Sequence, residues 1–336
     1  MATDKKPDDL IHTPPEMAIA EADVRSEEAG EFVRGTSLWR DAWRRLLRNK
    51  LAVFGLIVVV LITIISIIGP TVIKRTFGFT PDYIPTHDVK LMASFPPFTG
   101  PNGEFSWAHP FGTDNAGRDQ LARTLQGGQI SLFVGIIATL VSLLIGVTYG
   151  AIAGYVGGRV DNVMMRIVDV LYSLPYVIVV IVLLSMFRSQ TPRGQLILLF
   201  IALGSVSWLT MARIVRGQVL SLKNQEFVLA ARATGVSATR IIFRHLVPNT
   251  LGPVIVYATL TIPQIMLTEA FLSFLGFGVQ APLASWGSLA SEGIQNIGIF
   301  PWQLIFPGVT MALTLFSLNF LGDGLRDALD PQMRTV

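Results

Sequence analysis

Two carboxylates, Asp169 and Glu269, interrupt apolar runs long enough to cross a bilayer. A carboxylate facing hydrocarbon is expensive, so each is expected to face protein or a watery passage, where it could relay protons or cations. Asp169 has a structural alternative, because Arg166 lies three residues away on the same helical face, near enough for a local ion pair. Glu269 has no such neighbour, which makes it the better pathway candidate. The other reactive groups are sparse. Cysteine is absent, excluding disulfides and thiolate ligands, and His12, His87, His109 and His245 are too scattered for a metal site. A phosphate-binding loop of the form GxxxxGK(S/T) requires a Gly-Lys pair, and the six lysines follow Asp4, Lys5, Asn49, Ile73, Val89 and Leu222. Neither a metal, a cofactor, a nucleic-acid partner nor nucleotide hydrolysis is therefore expected of this chain, and an ATPase that drives it must be a separate chain.

The remaining functional signal is mechanical. Between two apolar stretches, residues 216–249 read RGQVLSLKNQEFVLAARATGVSATRIIFRHLVPN, a polar and cationic interruption. It divides into two short helices that must meet something in the cytosol. Asn224 is expected to cap the first, and Gly235 to end it in the left-handed conformation that glycine adopts cheaply. Ser237 is expected to cap the second, and Pro248 to stop it. Phe227, Ala230, Ala231 and Thr234 fall at i, i+3, i+4 and i+7, giving a face with one aromatic knob among small side chains, suited to a partner's groove.

These residues need a membrane scaffold to hold them. The 336-residue chain is 51% hydrophobic and 15% charged, too apolar for an ordinary soluble domain. Six continuously apolar segments, 51–73, 129–155, 163–187, 194–213, 251–276 and 303–321, predict transmembrane helices and not a barrel. Residues 1–31 are polar and acid-rich with no apolar core, so the first span is expected to be retained and not cleaved as a signal peptide. With a cytosolic amino terminus, nineteen Lys and Arg fall inside and seven outside, which predicts both termini, and the 216–249 loop, in the cytosol. The expected organisation is a loosely held tail at 1–35, then an amphipathic interfacial helix at 36–50 with Trp39 and Trp43 near the headgroups. A first span at 51–73 follows, then an extracytoplasmic segment at 74–128, a five-helix domain at 129–325 and a cytosolic tail at 326–336. Within the outer segment, Thr113 or Asp114 is expected to cap a short helix leading to the second span.

The second span carries small residues every fourth position: Ala138, Ser142, Gly146, Gly150, Gly154 and Gly158. Such a stripe lets backbones approach closely, either within this subunit or against a homologous partner. Pro175, Pro263 and Pro307 are expected to kink their spans.

The loop resembles the EAA loop of type I ABC importer permeases, with Ala230, Ala231, Gly235, Pro248 and Asn249 matching and Leu229 standing where the family has glutamate. RNKLAVFGL (48–56), HPFGTDNAGRD (109–119), GGRVDNVMMR (157–166) and LGDGLRDALDP (321–331) resemble the peptide/nickel group's C-type subunit. SWLTMARIVRGQVLSLK (207–223) and FLSFLGFG (271–278) look most like the oligopeptide C subunits. The resemblance covers nearly everything from residue 36 onward. It implies an all-α type I permease fold and a five-part importer of oligopeptides or dipeptides. A B-type permease, two ATP-binding subunits and an extracytoplasmic peptide-binding protein would be the partners, in a bacterial inner membrane. Residues 225–234 would be the coupling helix seated in an ATPase cleft, with Glu226, Phe227, Ala230, Ala231, Thr234 and Gly235 as the coupling set. The passage is expected to be lined by small, water-tolerant groups from several spans.

Two other classes compete. A proton-driven secondary transporter would use Asp169 and Glu269 as relays and should show an inverted repeat of broken helices, of which the sequence carries no sign. A receptor or scaffold would use the loop to bind a signalling partner without moving substrate.

Overall fold

The computed structural model describes residues 38–84, 93–100 and 102–329. The tail expected at 1–35, His12, His87, most of the tail expected at 326–336 and the side chain of Trp39 lie outside the described residues. Contacts divide the chain into two units, residues 1–41 and 42–336, and of the first only the opening turn of one helix is described. Among the described residues no strand forms, only isolated bridges such as Thr99 with Phe105.

Helix α1 (Leu38–Arg48) is separated from α2 (Lys50–Phe77) by Asn49, whose side chain accepts from the amides of Leu51 and Ala52. Ala42 and Leu46 of α1 are buried with Ala52 and Ala328, while Trp43 is exposed, giving the two-faced helix expected there. After the outer segment come α3 (Gln120–Val156), α4 (Gly158–Tyr172), α5 (Tyr176–Met186), α6 (Pro192–Leu222) and α7 (Glu226–Ala233). Then follow α8 (Ala238–Phe274), α9 (Trp286–Ile294) and α10 (Trp302–Leu329). Five of these, α2, α3, α6, α8 and α10, are long and apolar enough to cross a membrane.

The sixth expected span is not one helix. Helices α4 and α5 meet at an 82° bend, so they make a sixth span only if counted as a broken one. Pro175 does more than kink this segment. It supplies no N–H and biases Leu174 away from helical backbone, so α4 closes at Ser173 and α5 restarts after the proline. Pro263 and Pro307 stay inside continuous helices.

The small-residue stripe has an occupant within the chain. A Cβ on Gly146 would meet the Met211 side chain, on Gly150 the Ala212 carbonyl, and on Gly154 the Val219 side chain, while the Ser142 hydroxyl donates to the Ser207 carbonyl at 2.9 Å. All are on α6, so this stripe is the α3–α6 seam; Gly158 faces no atom within 4 Å and lies beyond it. Gly150→Leu is expected to destabilise the fold by about 1–3 kcal/mol, the usual cost of overpacking a tight seam. Leu144→Ala, 72% exposed on the same helix, should leave the thermal midpoint in detergent nearly unchanged. Equal midpoints for the two variants would contradict this packing.

On the side opposite the 216–249 loop, the HPFGTDNAGRD segment closes over the helix ends as a polar knot. The expected caps are replaced: Asp119 caps α3 by accepting from the Ala122 amide at 2.7 Å, and His109 Nδ1 lies 2.8 Å from the same carboxylate. Asp114 caps a turn and not a helix: its Oδ1 accepts from the amides of Ala116 and Arg118 at 2.9 Å each, while its Oδ2 accepts from the Arg118 and Arg123 guanidinium groups, each at 2.6 Å. Arg123, 1% exposed, also reaches Glu292 on α9 at 2.7 Å.

Candidate functional site

The loop between α6 and α8 builds a short exposed helix on a buried base. Helix α7 holds eight residues, which at the standard rise is about 12 Å. Its N-cap is Gln225 with no side-chain bond, not Asn224 as expected, since the turn after α6 runs one residue further. Gly235 ends it at φ +78°, with the Gly235 amide donating to the Arg232 carbonyl and the Val236 amide to the Ala231 carbonyl. This is a Schellman closure.

Phe227 (40% exposed), Ala230 and Thr234 stand outward beside Glu226 and Gly235, as a docking face requires. Ala231 does not share that face. At 7% exposure it turns inward with Val228, because these two pack against Val215 and Val219 of α6 and Ile241, Ile242 and Leu246 of α8. Leu229, at the position of the family glutamate, is exposed and apolar. Two cationic contacts bind the loop to α3: the Arg232 guanidinium lies 5.4 Å from the Tyr155 ring, and Lys223 Nζ donates to the Gly154 carbonyl at 3.1 Å.

The second half of the loop departs from expectation. Ser237 takes the N-cap position of α8 without a side-chain bond, and Pro248 does not stop the helix. Residues Ile241–Leu246 form a π-helical turn in which the Val247 amide reaches back to the Ile242 carbonyl, five residues away. The widened turn absorbs the proline, whose missing N–H and ring would break a regular ladder. The loop therefore runs directly into the span.

The two carboxylates offered as pathway candidates part company. Asp169 pairs with Arg213 of α6 at 2.7 Å, not with Arg166, and the Arg213 guanidinium also lies 4.3 Å from the Tyr172 ring. Both partners are partly exposed. Glu269 is fully buried, and its Oε1 accepts from the hydroxyls of Ser273 and Ser285 at 2.7 Å each. Ser285 caps α9, so this carboxylate fastens α9 to α8. A second ion pair, Asp161 with Arg216 at 2.5 and 2.7 Å, also joins α4 to α6.

Sequence reading passed over a cavity of about 490 Å³ at the α4–α5 break. Tyr172, Ser173 and Tyr176 line it at the break, Ser207 and Thr210 from α6, and Tyr257, Thr261, Gln264 and Thr268 from α8. The signal that could have found it is the spacing of the last four, which keeps one polar stripe along a helical face.

Residues 146–335 match the family described as binding-protein-dependent transport system inner membrane component, and residues 37–101 match the N-terminal TM domain of oligopeptide transport permease C. The chain is 48% identical to the oligopeptide transport system permease protein OppC of Haemophilus influenzae, over 90% of this chain and 91% of that one. It is 46% identical to OppC of Bacillus subtilis, over 90% and 92%. The dipeptide transport system permease protein DppC of Bacillus subtilis is 43% identical over 98% of this chain and 97% of its own. Among solved structures, a chain of the inward-facing MetNI methionine ABC transporter aligns with 21% identity and a TM-score of 0.49, over 62% of this chain and 96% of that one. Long apolar helices, an exposed helix on a buried base and these matched segments together place the chain as a multi-pass membrane protein belonging to the family of binding-protein-dependent transport system inner membrane components.

Proposed function

We propose that this chain is the C-type permease half of an ATP-driven peptide importer, with α7 as the coupling helix and both termini on the α7 side, in the cytosol. The supporting observation is the division of α7 between an outward Phe227 and an inward Val228 and Ala231 seated on α6 and α8. A cleft that grips Phe227, Ala230 and Thr234 and moves as a rigid body would carry α6 and α8 with it, since the base of α7 is part of their shared core. The names of the relatives support peptides as cargo. A B-type permease would complete the passage, two ATP-binding subunits would supply the energy, and an extracytoplasmic binding protein would deliver the peptide. Asp169, held by Arg213 beside the cavity, belongs to the mouth of the passage; Glu269 acts by fixing α9.

The proton-relay alternative gains nothing from the geometry, because the two carboxylates engage separate partners, an arginine and a pair of serines. Vesicles holding all five subunits should accumulate peptide with ATP and show no uptake from a pH gradient alone. Uptake by the permease pair driven by the gradient without ATPases would overturn the reading.

A further inference from the structure

The geometry points to the cavity at the α4–α5 break as the place where this chain touches the moving peptide, and we infer that it does so through the peptide main chain and not through its side chains. The inference rests on the importer reading and adds to it the contact residues and what they recognise.

Three features carry it. The first is polarity where lipid would forbid it. Tyr257, Thr261, Gln264 and Thr268 form one stripe on a span, and the cavity they line is completed by Ser207 and Thr210 of the neighbouring span. Polar groups at bilayer depth are tolerated where they meet protein or water, and this stripe meets a cavity.

The second is the hydrogen-bonding state of those groups. Thr261 and Thr268 donate their hydroxyl protons to the carbonyls of Tyr257 and Gln264, at 2.8 and 2.9 Å, and so keep only acceptor capacity for a further partner. Ser207 also donates to the Leu203 carbonyl at 2.6 Å, but its oxygen is met by the Tyr176 hydroxyl at 3.4 Å, so these two lining groups satisfy each other. The exposed Gln264 amide forms no hydrogen bond among the described residues, leaving both its donors and its acceptor free. Acceptors beside a free amide are the complement of a peptide unit, which offers one N–H and one C=O per residue whatever its side chain.

The third is the absence of net charge. None of the cavity-lining residues is ionised at neutral pH; Arg213 and Asp169, each three residues from a lining residue, neutralise each other at 2.7 Å, and Glu269, next to Thr268, is fully buried against Ser273 and Ser285. A lone charge on the wall would attract one class of peptide side chain and repel another. A neutral, hydrogen-bonding wall treats acidic, basic and apolar peptides alike.

The absence of cysteine makes the test direct, since an introduced thiol is the only one in this chain. In vesicles of the complete complex, Gln264→Cys, Thr268→Cys and the outward-facing Ile57→Cys would be offered alanine tripeptides whose central cysteine carries a nitropyridyl disulfide. During ATP-driven turnover, the two cavity positions should trap about tenfold more peptide than Ile57→Cys, because effective concentration at a transit site far exceeds that in bulk. Equal trapping at all three, with uptake running, overturns the inference. Gln264→Leu should slow uptake of Ala-Ala-Ala, Ala-Lys-Ala and Ala-Glu-Ala about tenfold each, the worth of a hydrogen bond or two in a dry site. Loss for one charge class alone would overturn the main-chain reading. If the unaltered complex in the same vesicles takes up no peptide with ATP, the importer reading itself fails and this inference with it.

Discussion

A Gly235→Trp chain is expected to insert and assemble normally, yet to lose ATP-driven uptake by about tenfold or more, as bulky intrusions into packed contacts do. Gly235 is exposed, and a Cβ built on it meets no atom within 4 Å, so a side chain there leaves toward open space. It would project beside Phe227, Ala230 and Thr234, where a cleft must close. One confounding cost is known: at φ +78° any side chain strains the backbone by about 1–2 kcal/mol. Gly235→Ala carries that strain without the bulk and should retain most of the uptake. If the alanine variant is as inactive as the tryptophan one, the loss comes from unravelling of the helix end and not from a blocked seat. Phe227→Asp provides a second reading of the same surface. It removes the only aromatic on the outward face while leaving Val228 and Ala231 in place, so insertion should be intact and transport-linked ATP hydrolysis lost.

The largest effect on stability is expected from Arg123→Met. This guanidinium is buried at the start of α3 and holds two carboxylates, Asp114 from the outer segment and Glu292 from α9. Removing one partner of a buried ion pair leaves uncompensated charge and typically costs about 3–5 kcal/mol. Here the lower end applies, since Asp114 keeps Arg118 at 2.6 Å and Glu292 is half exposed. A loss of about 3 kcal/mol should lower the thermal midpoint in detergent by roughly 5 °C for a domain of this size. Arg123→Lys should recover only part of it, because an ammonium cannot match the bidentate reach to Glu292 and still meet Asp114. Pairing Arg123→Met with Glu292→Met should cost less than the sum of the two single changes. Strict additivity, or a midpoint that moves by less than about 2 °C, would mean the knot contributes little to the fold.

Features that depend on neighbours along the chain were legible in the residues themselves. The apolar runs specify their helices because a backbone in lipid must satisfy its own hydrogen bonds, and five of the six expected spans are continuous helices. Gly235 ends α7 as anticipated, since only the local φ matters there. The stripe from Ala138 to Gly154 announced a close helix pair, although not which helix would fill it. Local rules also misled where a neighbour outbid them. Asn224 and Asp114 are good caps in isolation, but the turn after α6 passes the first, and the second caps only a turn while its other oxygen takes two arginines.

Only the tertiary structure decided the rest, because it depends on residues far apart in sequence meeting in space. Arg123 and Glu292 are 169 positions apart, and no periodicity connects them. Ala231 turns inward because Val215, Val219 and Ile241 converge beneath it, which a helical wheel of α7 alone cannot foresee. Asp169 prefers Arg213 on another helix to Arg166 on its own, because the α4–α6 approach places the longer-range cation closer. The cavity exists only because the α4–α5 break brings Tyr172 and Tyr176 to the polar faces of α6 and α8. Sequence alone determined which segments are helical, which must lie in lipid and where the exposed loop helix ends, all consequences of local backbone and solvation energetics. The pairing of faces, the burial of charges and the shape of the cavity were settled by packing, where each side chain's neighbours come from elsewhere in the chain.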